Sequence, residues 1–160
     1  MKKTFLIFAL CFLLSSFGNI FAQDNVANLY LFWREGCPHC EKERAFLPKL
    51  QEKYGDKLVI QQFEIWNNKK NLNILQEVTK NFDTPVNGVP LTLIGDEKIV
   101  GYGEDSNTGQ QIDDAIRYCI ENVCNDLVRP VLAKQKAEPE VKKLVTNSLD
   151  PSTQVAVPFF

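Results

Sequence analysis

The chain has 160 residues, 44% of them hydrophobic and 24% charged, and a net charge of −2. Mild acidity without a basic stripe argues against nucleic acid as a partner. Five cysteines are present, and four fall between residues 37 and 124, an even set that permits two disulfides. Two bridges are sparse for a disulfide scaffold of this size, so at least one pair is there for chemistry.

Met1-Lys2-Lys3 is cationic, Phe5 to Leu14 is an unbroken apolar run, and Ile20-Phe21-Ala22 ends on a small residue. That order is the layout of a secretory signal peptide over residues 1–22, cleaved near Ala22. A membrane-spanning helix needs about 20 apolar residues, and this run is interrupted well before that. Cys11 follows Leu10 after too short an apolar stretch for a lipoprotein site. The expectation is an exported protein, in a bacterial periplasm or another extracytoplasmic space. The remainder is long enough for one domain with a hydrophobic core.

Residues 23–126 alternate between strand and helix signals. Asn28 to Trp33 is nearly continuous apolar sequence, as in a strand buried on both faces, and Gly36 and Pro38 end it. From Cys40 to Tyr54, Ala45, Phe46, Leu47, Leu50 and Tyr54 recur at helical spacing, with Pro48 expected to kink the helix. Lys57 to Trp66 reads as a second strand. Asn67 and Asn68 can cap a helix over about 70–82. Leu91–Ile94 and Lys98–Tyr102 read as a hairpin around Gly95-Asp96-Glu97, and Gly109 to about Val123 as an amphipathic helix. The opening strand–helix–strand unit demands a right-handed parallel crossover, and the hairpin adds antiparallel strands. The predicted class is α/β: a mixed central sheet of about four strands with helices on both faces. Residues 127–160, with Pro130, Pro139, Pro151 and Pro158, read as a linker or poorly ordered C-terminal tail.

Cys37-Pro38-His39-Cys40 lies where a buried strand gives way to a helix. A thiolate is the nucleophile of disulfide exchange, and a helix N-terminus offers free N–H groups and the positive end of a dipole. Cys37 would sit there with a lowered thiol pKa and an exposed sulfur. Cys40, one turn on, can attack a mixed disulfide on Cys37 and release the substrate. Pro38 suits the first turn, and a protonated His39 would add positive charge beside the thiolate. A structural disulfide and half of a zinc site are the rival readings. Zinc needs three or four ligands, and His39 is the only histidine, so redox chemistry is preferred.

Leu29 to Cys40 resembles the active-site segment of the thioredoxin superfamily, and Cys-Pro-His-Cys is similar to the centre of DsbA-type periplasmic oxidoreductases. Gly88-Val89-Pro90, just before the strand Leu91–Ile94, looks like that superfamily's second signature. The resemblance spans about residues 26–125. It implies a thioredoxin fold, a cis peptide before Pro90, and substrate docking at Val89 and Pro90. Two departures stand out. The buried acid found in many thioredoxins six positions before the first cysteine is here Leu31, and the tryptophan that often precedes that cysteine is Gly36. Proton handling must therefore differ, through Glu35, Glu41 or water, although both acids also read as solvated charges.

Cys119 and Cys124 flank the end of the last helix. In a continuous helix their α-carbons would lie about 8–9 Å apart, too far to bridge, so a disulfide requires the helix to end near residues 121–123. A structural disulfide, a second redox pair and unpaired thiols remain open. The terminal Val155-Ala156-Val157-Pro158-Phe159-Phe160 reads either as a disordered end or as a short likeness to the stretch preceding the membrane region of cytochrome c biogenesis-type electron carriers. The second reading would make this chain a truncated or split form with a membrane thiol redox partner.

The functional expectation is a protein thiol–disulfide oxidoreductase acting through Cys37 and Cys40 on cysteines of other exported proteins, with no metal or cofactor. Its direction, oxidant, reductant or isomerase, is not legible. The alternatives are a non-catalytic thioredoxin-fold binding module and the soluble domain of a split membrane reductant.

Overall fold

In the computed structural model, residues 25–80, 82 and 87–137 are described. Their order is β1 (Ala27–Trp33), α1 (Pro38–Tyr54), β2 (Leu58–Glu64), α2 (Lys69–Thr79), β3 (Leu91–Ile94), β4 (Glu97–Val100) and α3 (Gln110–Glu121). The strands form one sheet in the order β2-β1-β3-β4. β2 runs parallel to β1, with Ala27 opposite Leu58 and Trp33 opposite Glu64. β3 is antiparallel to β1, and β4 to β3. A parallel crossover and a hairpin sharing one sheet make this the thioredoxin fold expected from the sequence.

β1 is buried on both faces because its side chains alternate. Ala27, Leu29 and Leu31 face a core completed by Leu47 and Leu50 of α1 and by Ile112 and Ile116 of α3. Tyr30 and Phe32 face the other way, onto Ile74 and Val78 of α2. Phe32 stacks on Phe63 with ring centroids 5.1 Å apart. Asp113, buried on α3, ties that helix to α1 by accepting hydrogen bonds from Lys53 and Tyr54. α1 continues through Pro48, whose ring lies on its exposed side.

The C-terminal boundary of the packed unit differs from the sequence reading. Residues 129–137 (α4) are helical, and Val128, Val131 and Leu132 pack on the Tyr30–Phe32 face. The stretch 127–137 is thus part of the packed unit, not a linker. Its prolines misled because Pro130 falls in the first turn of a helix, where its missing donor costs no hydrogen bond. Asp126 caps that turn by accepting from the N–H groups of Val128 and Arg129. The signal segment 1–22 and residues 138–160 lie outside the described residues. Among those described, no helix is long and apolar enough to cross a membrane.

Candidate active site

β1 delivers the chain to the site, and Arg34-Glu35-Gly36 turns it into α1. Gly36 takes a φ of +69°, a left-handed conformation that glycine adopts without strain. Cys37 is the N-cap of α1, Pro38 occupies its first turn, and the Cys37 Sγ accepts the Cys40 N–H at 3.2 Å. Cys37 and Cys40 are joined by a disulfide, with α-carbons 5.2 Å apart. Cys40 is fully buried. Cys37 retains only 5% of its surface, so the sulfur is far less open than expected and attack on it must be directional. The covering comes from the Gly88–Pro90 segment: the Val89 carbonyl oxygen lies 3.8 Å from the Cys37 Sγ. The Val89–Pro90 peptide is cis.

His39 is exposed, and its Nδ1 sits 2.6 Å from the Tyr102 carbonyl oxygen. A carbonyl can only accept, so Nδ1–H is the donor in this bond. Tyr102 is itself fixed. Its hydroxyl donates to Asp105, whose other oxygen meets Lys49 of α1 at 2.7 Å. Burial, reinforced by Asp105, raises the Tyr102 hydroxyl's pKa, so it stays a donor.

Beneath the disulfide is a residue that sequence reasoning passed over. Glu43 of α1 is buried to 1% and accepts a hydrogen bond from the hydroxyl of Thr92 on β3. Burial pushes its carboxyl from 4.5 to about 7, against the lowering effect of the Thr92 bond. Cys40 and Glu43 are three residues apart on one helix, which brings their Cβ atoms within about 5–6 Å. Thr92 pairs directly across the sheet with Leu31, the position where many thioredoxins carry their acid. The acid on this face of the sheet therefore comes from the helix instead of the strand. Glu35 and Glu41, the acids considered from sequence, are both exposed, and Glu35 accepts from Asn67. The buried stripe of α1 is Cys40, Glu43, Leu47 and Leu50. An acid in that stripe was the available signal.

Cys119 and Cys124 lie elsewhere. α3 ends at Glu121, the chain turns extended at Asn122, and the two α-carbons come to 5.3 Å with the sulfurs bonded. Both sulfurs press on Gly95, where an added Cβ would stand 2.9 Å from the Cys119 Sγ and 3.0 Å from the Cys124 Sγ. Among the described residues no cluster of His, Cys, Asp or Glu side chains could hold a metal ion.

Sheet order, crossover and a Cys-x-x-Cys disulfide on a helix N-terminus define a thioredoxin-fold protein. No protein-family model and no curated protein sequence matches the chain. Among solved structures it is similar to a mutant thioredoxin from Halobacterium salinarum NRC-1, at 21% identity and a TM-score of 0.44, over 62% of this chain and 80% of that one. It is also similar to an uncharacterized thioredoxin-like protein from Clostridium perfringens, at 17% identity and a TM-score of 0.43, over 59% of this chain and 74% of that one.

Proposed function

We propose that the chain is an exported thiol–disulfide oxidoreductase that exchanges disulfides with cysteines of other extracytoplasmic proteins. The observation that carries this reading is the asymmetry of the pair. Cys37 caps α1, takes the Cys40 N–H on its sulfur and keeps the little surface the site has, while Cys40 has none. In the oxidising direction a substrate thiolate attacks the Cys37 Sγ and breaks the Cys37–Cys40 bond. The electron pair goes to Cys40, which takes a proton from the Glu43 carboxyl. A second substrate thiol then loses its proton, attacks its partner sulfur and displaces Cys37 as a thiolate held by the Cys40 N–H. Two electrons pass from substrate to protein.

The reducing direction is the reverse. Cys37 thiolate attacks a substrate disulfide, and Cys40, giving its proton to Glu43, resolves the mixed disulfide. Val89 and Pro90 border Cys37, and by resemblance the Val89 backbone receives the substrate strand. Export is supported by the layout of residues 1–22 and by a second disulfide of a kind that persists in oxidising compartments.

Two measurements test this. A Cys37→Ser variant should lose exchange with protein disulfides and dithiols, and unaltered exchange would sink the reading. Equilibration of the Cys37/Cys40 pair with glutathione then sets direction. A potential near about −120 mV would mark a disulfide donor, and one near about −270 mV a reductant needing a partner to recharge it.

A further inference from the structure

Trp66 follows β2 and keeps 70% of its surface exposed. It is held in place all the same. Ile65 N–H donates to the Trp33 carbonyl at 2.9 Å. The Glu64 carboxylate accepts the N–H groups of Trp66 and Asn67 at 2.7 and 2.9 Å. The Arg34 guanidinium lies 5.3 Å from the indole centroid, and Asn67 donates its side-chain amide to Glu35 at 3.3 Å. Arg34 and Glu35 belong to the link from β1 to Cys37. The α-carbons of Arg34 and Cys37 are at most about 11 Å apart along that link, and the indole under Arg34 adjoins it.

On the other side of Cys37, Val100 is 53% exposed at the end of β4 and lies against Gly88. Gly101 N–H donates to the Pro90 carbonyl at 2.7 Å, fixing Val100 to the segment that covers Cys37. Two exposed apolar groups, the indole and the Val100 isopropyl, are thus tied to the two segments that adjoin Cys37, the β1–α1 link and Gly88–Pro90. Apolar surface left bare and pre-organised beside a reactive group is suited to a partner, and Trp and Arg are the residues that concentrate binding energy in such surfaces.

We propose that Trp66, backed by Arg34, is a specificity subsite for polypeptide substrates, favouring those with an aromatic or large aliphatic residue within two or three positions of the exchanging cysteine. The occupant is the substrate chain itself, because Arg34 and Glu35, which hold the Trp66–Asn67 turn, belong to the link that leads directly to Cys37. The inference rests on the reading of Cys37 as the exchange nucleophile. The reaction is the reducing half already described: Cys37 thiolate displaces one peptide thiolate, and Cys40 then displaces the other.

The test uses two disulfide-linked homodimers of a single-cysteine peptide that differ only in phenylalanine or serine two positions from the cysteine. Reduced wild-type protein should reduce the phenylalanine dimer about tenfold faster in kcat/KM. Trp66→Ala should bring that ratio close to one, and Trp66→Phe should keep most of it. The ratio cancels any general loss of activity in a damaged variant. An equal rate on both peptides in the wild type, or an undiminished ratio in Trp66→Ala, overturns the subsite. A wild type that neither reduces the dimers in its reduced form nor oxidises the free peptide thiols in its Cys37–Cys40 form overturns the exchange reading instead.

Discussion

Cys37–Cys40 stands at the C-terminal end of β1, and Cys119–Cys124 packs on Gly95 beyond Ile94, which pairs with Leu29 near the other end of that strand. The surroundings of the two disulfides are opposite in character. Around Cys37 the chain leaves an indole bare, buries a carboxyl that accepts from a threonine hydroxyl, and closes the site with a three-residue link. Around Cys119 both sulfurs press on a glycine, and the next turn is tied down by Asp126, which bonds Tyr30, Arg129 and two backbone N–H groups. One end carries unfavourable local terms that a reaction can use. The other supplies constraint. Local rules broken at a reactive centre and kept elsewhere are the expected signature of a functional site.

The largest effect should come from Glu43, where the active end carries its strongest strain against folding. Native Glu43 keeps its proton up to about pH 7, while an unfolded glutamate releases it near 4.5. Between those values the native state binds more protons, so stability falls as pH rises, with the full benefit present below 4.5 and gone above about 7. The total is about 3 kcal/mol. Glu43→Gln should abolish this component, so urea unfolding across that range should show the variant gaining on the wild type as pH increases. It should also slow resolution by Cys40 about a hundredfold, the low side of what general base catalysis contributes. A stability difference that stays constant with pH would mean Glu43 does not titrate there.

A smaller effect is expected at the far end. Replacing Cys119 and Cys124 together with alanine opens a short loop, and the entropy model sets the loss at about 2 kcal/mol. Exchange through Cys37 should stay within about twofold, since the sulfurs of the two pairs are separated by the length of β1 and share no contact that could pass electrons. Chemical denaturation with a parallel exchange assay reads both. A collapse of exchange with stability intact would make Cys119 and Cys124 a relay pair and erase the contrast between the ends.

The same contrast explains what the sequence made legible. The continuous apolar run of β1 and the helical stripes of α1 and α3 give away the sheet and its covering helices, because burial on a face leaves a period in the residues. Cys37 and Cys40 are legible because two cysteines three apart at a strand–helix junction have few other uses. Glu43 escaped because its helix is rich in charged residues, and one acid among them looks solvated until Cys40, Leu47 and Leu50 mark the buried stripe. Thr92 needed register, since only its pairing with Leu31 places it beneath the site. α4 escaped because Pro130, with three more prolines beyond it, reads as linker composition, although Asp126 four residues earlier is a helix-start signal. Each miss is a residue whose meaning depends on a partner distant in sequence.

Tyr30 offers the mildest and cleanest probe of how far the constraining end reaches. Its hydroxyl donates to Asp126 at 2.9 Å, from a strand position that is 3% exposed. Burial, with Asp126 adding to it, pushes the phenol up to about 12, so it remains a neutral donor throughout the working range. Tyr30→Phe removes that single bond without opening a cavity. Asp126 keeps the N–H groups of Val128 and Arg129, so its carboxylate is not left unsatisfied and the cost should be about 1 kcal/mol. The loss should appear as faster amide hydrogen exchange in residues 129–137, the helix Asp126 caps, with little change in α1. Thiol exchange at Cys37 should not move. If α1 loosens as well, Tyr30 couples the two ends through β1, and the sheet is a shared element of the reaction instead of a partition between constraint and chemistry.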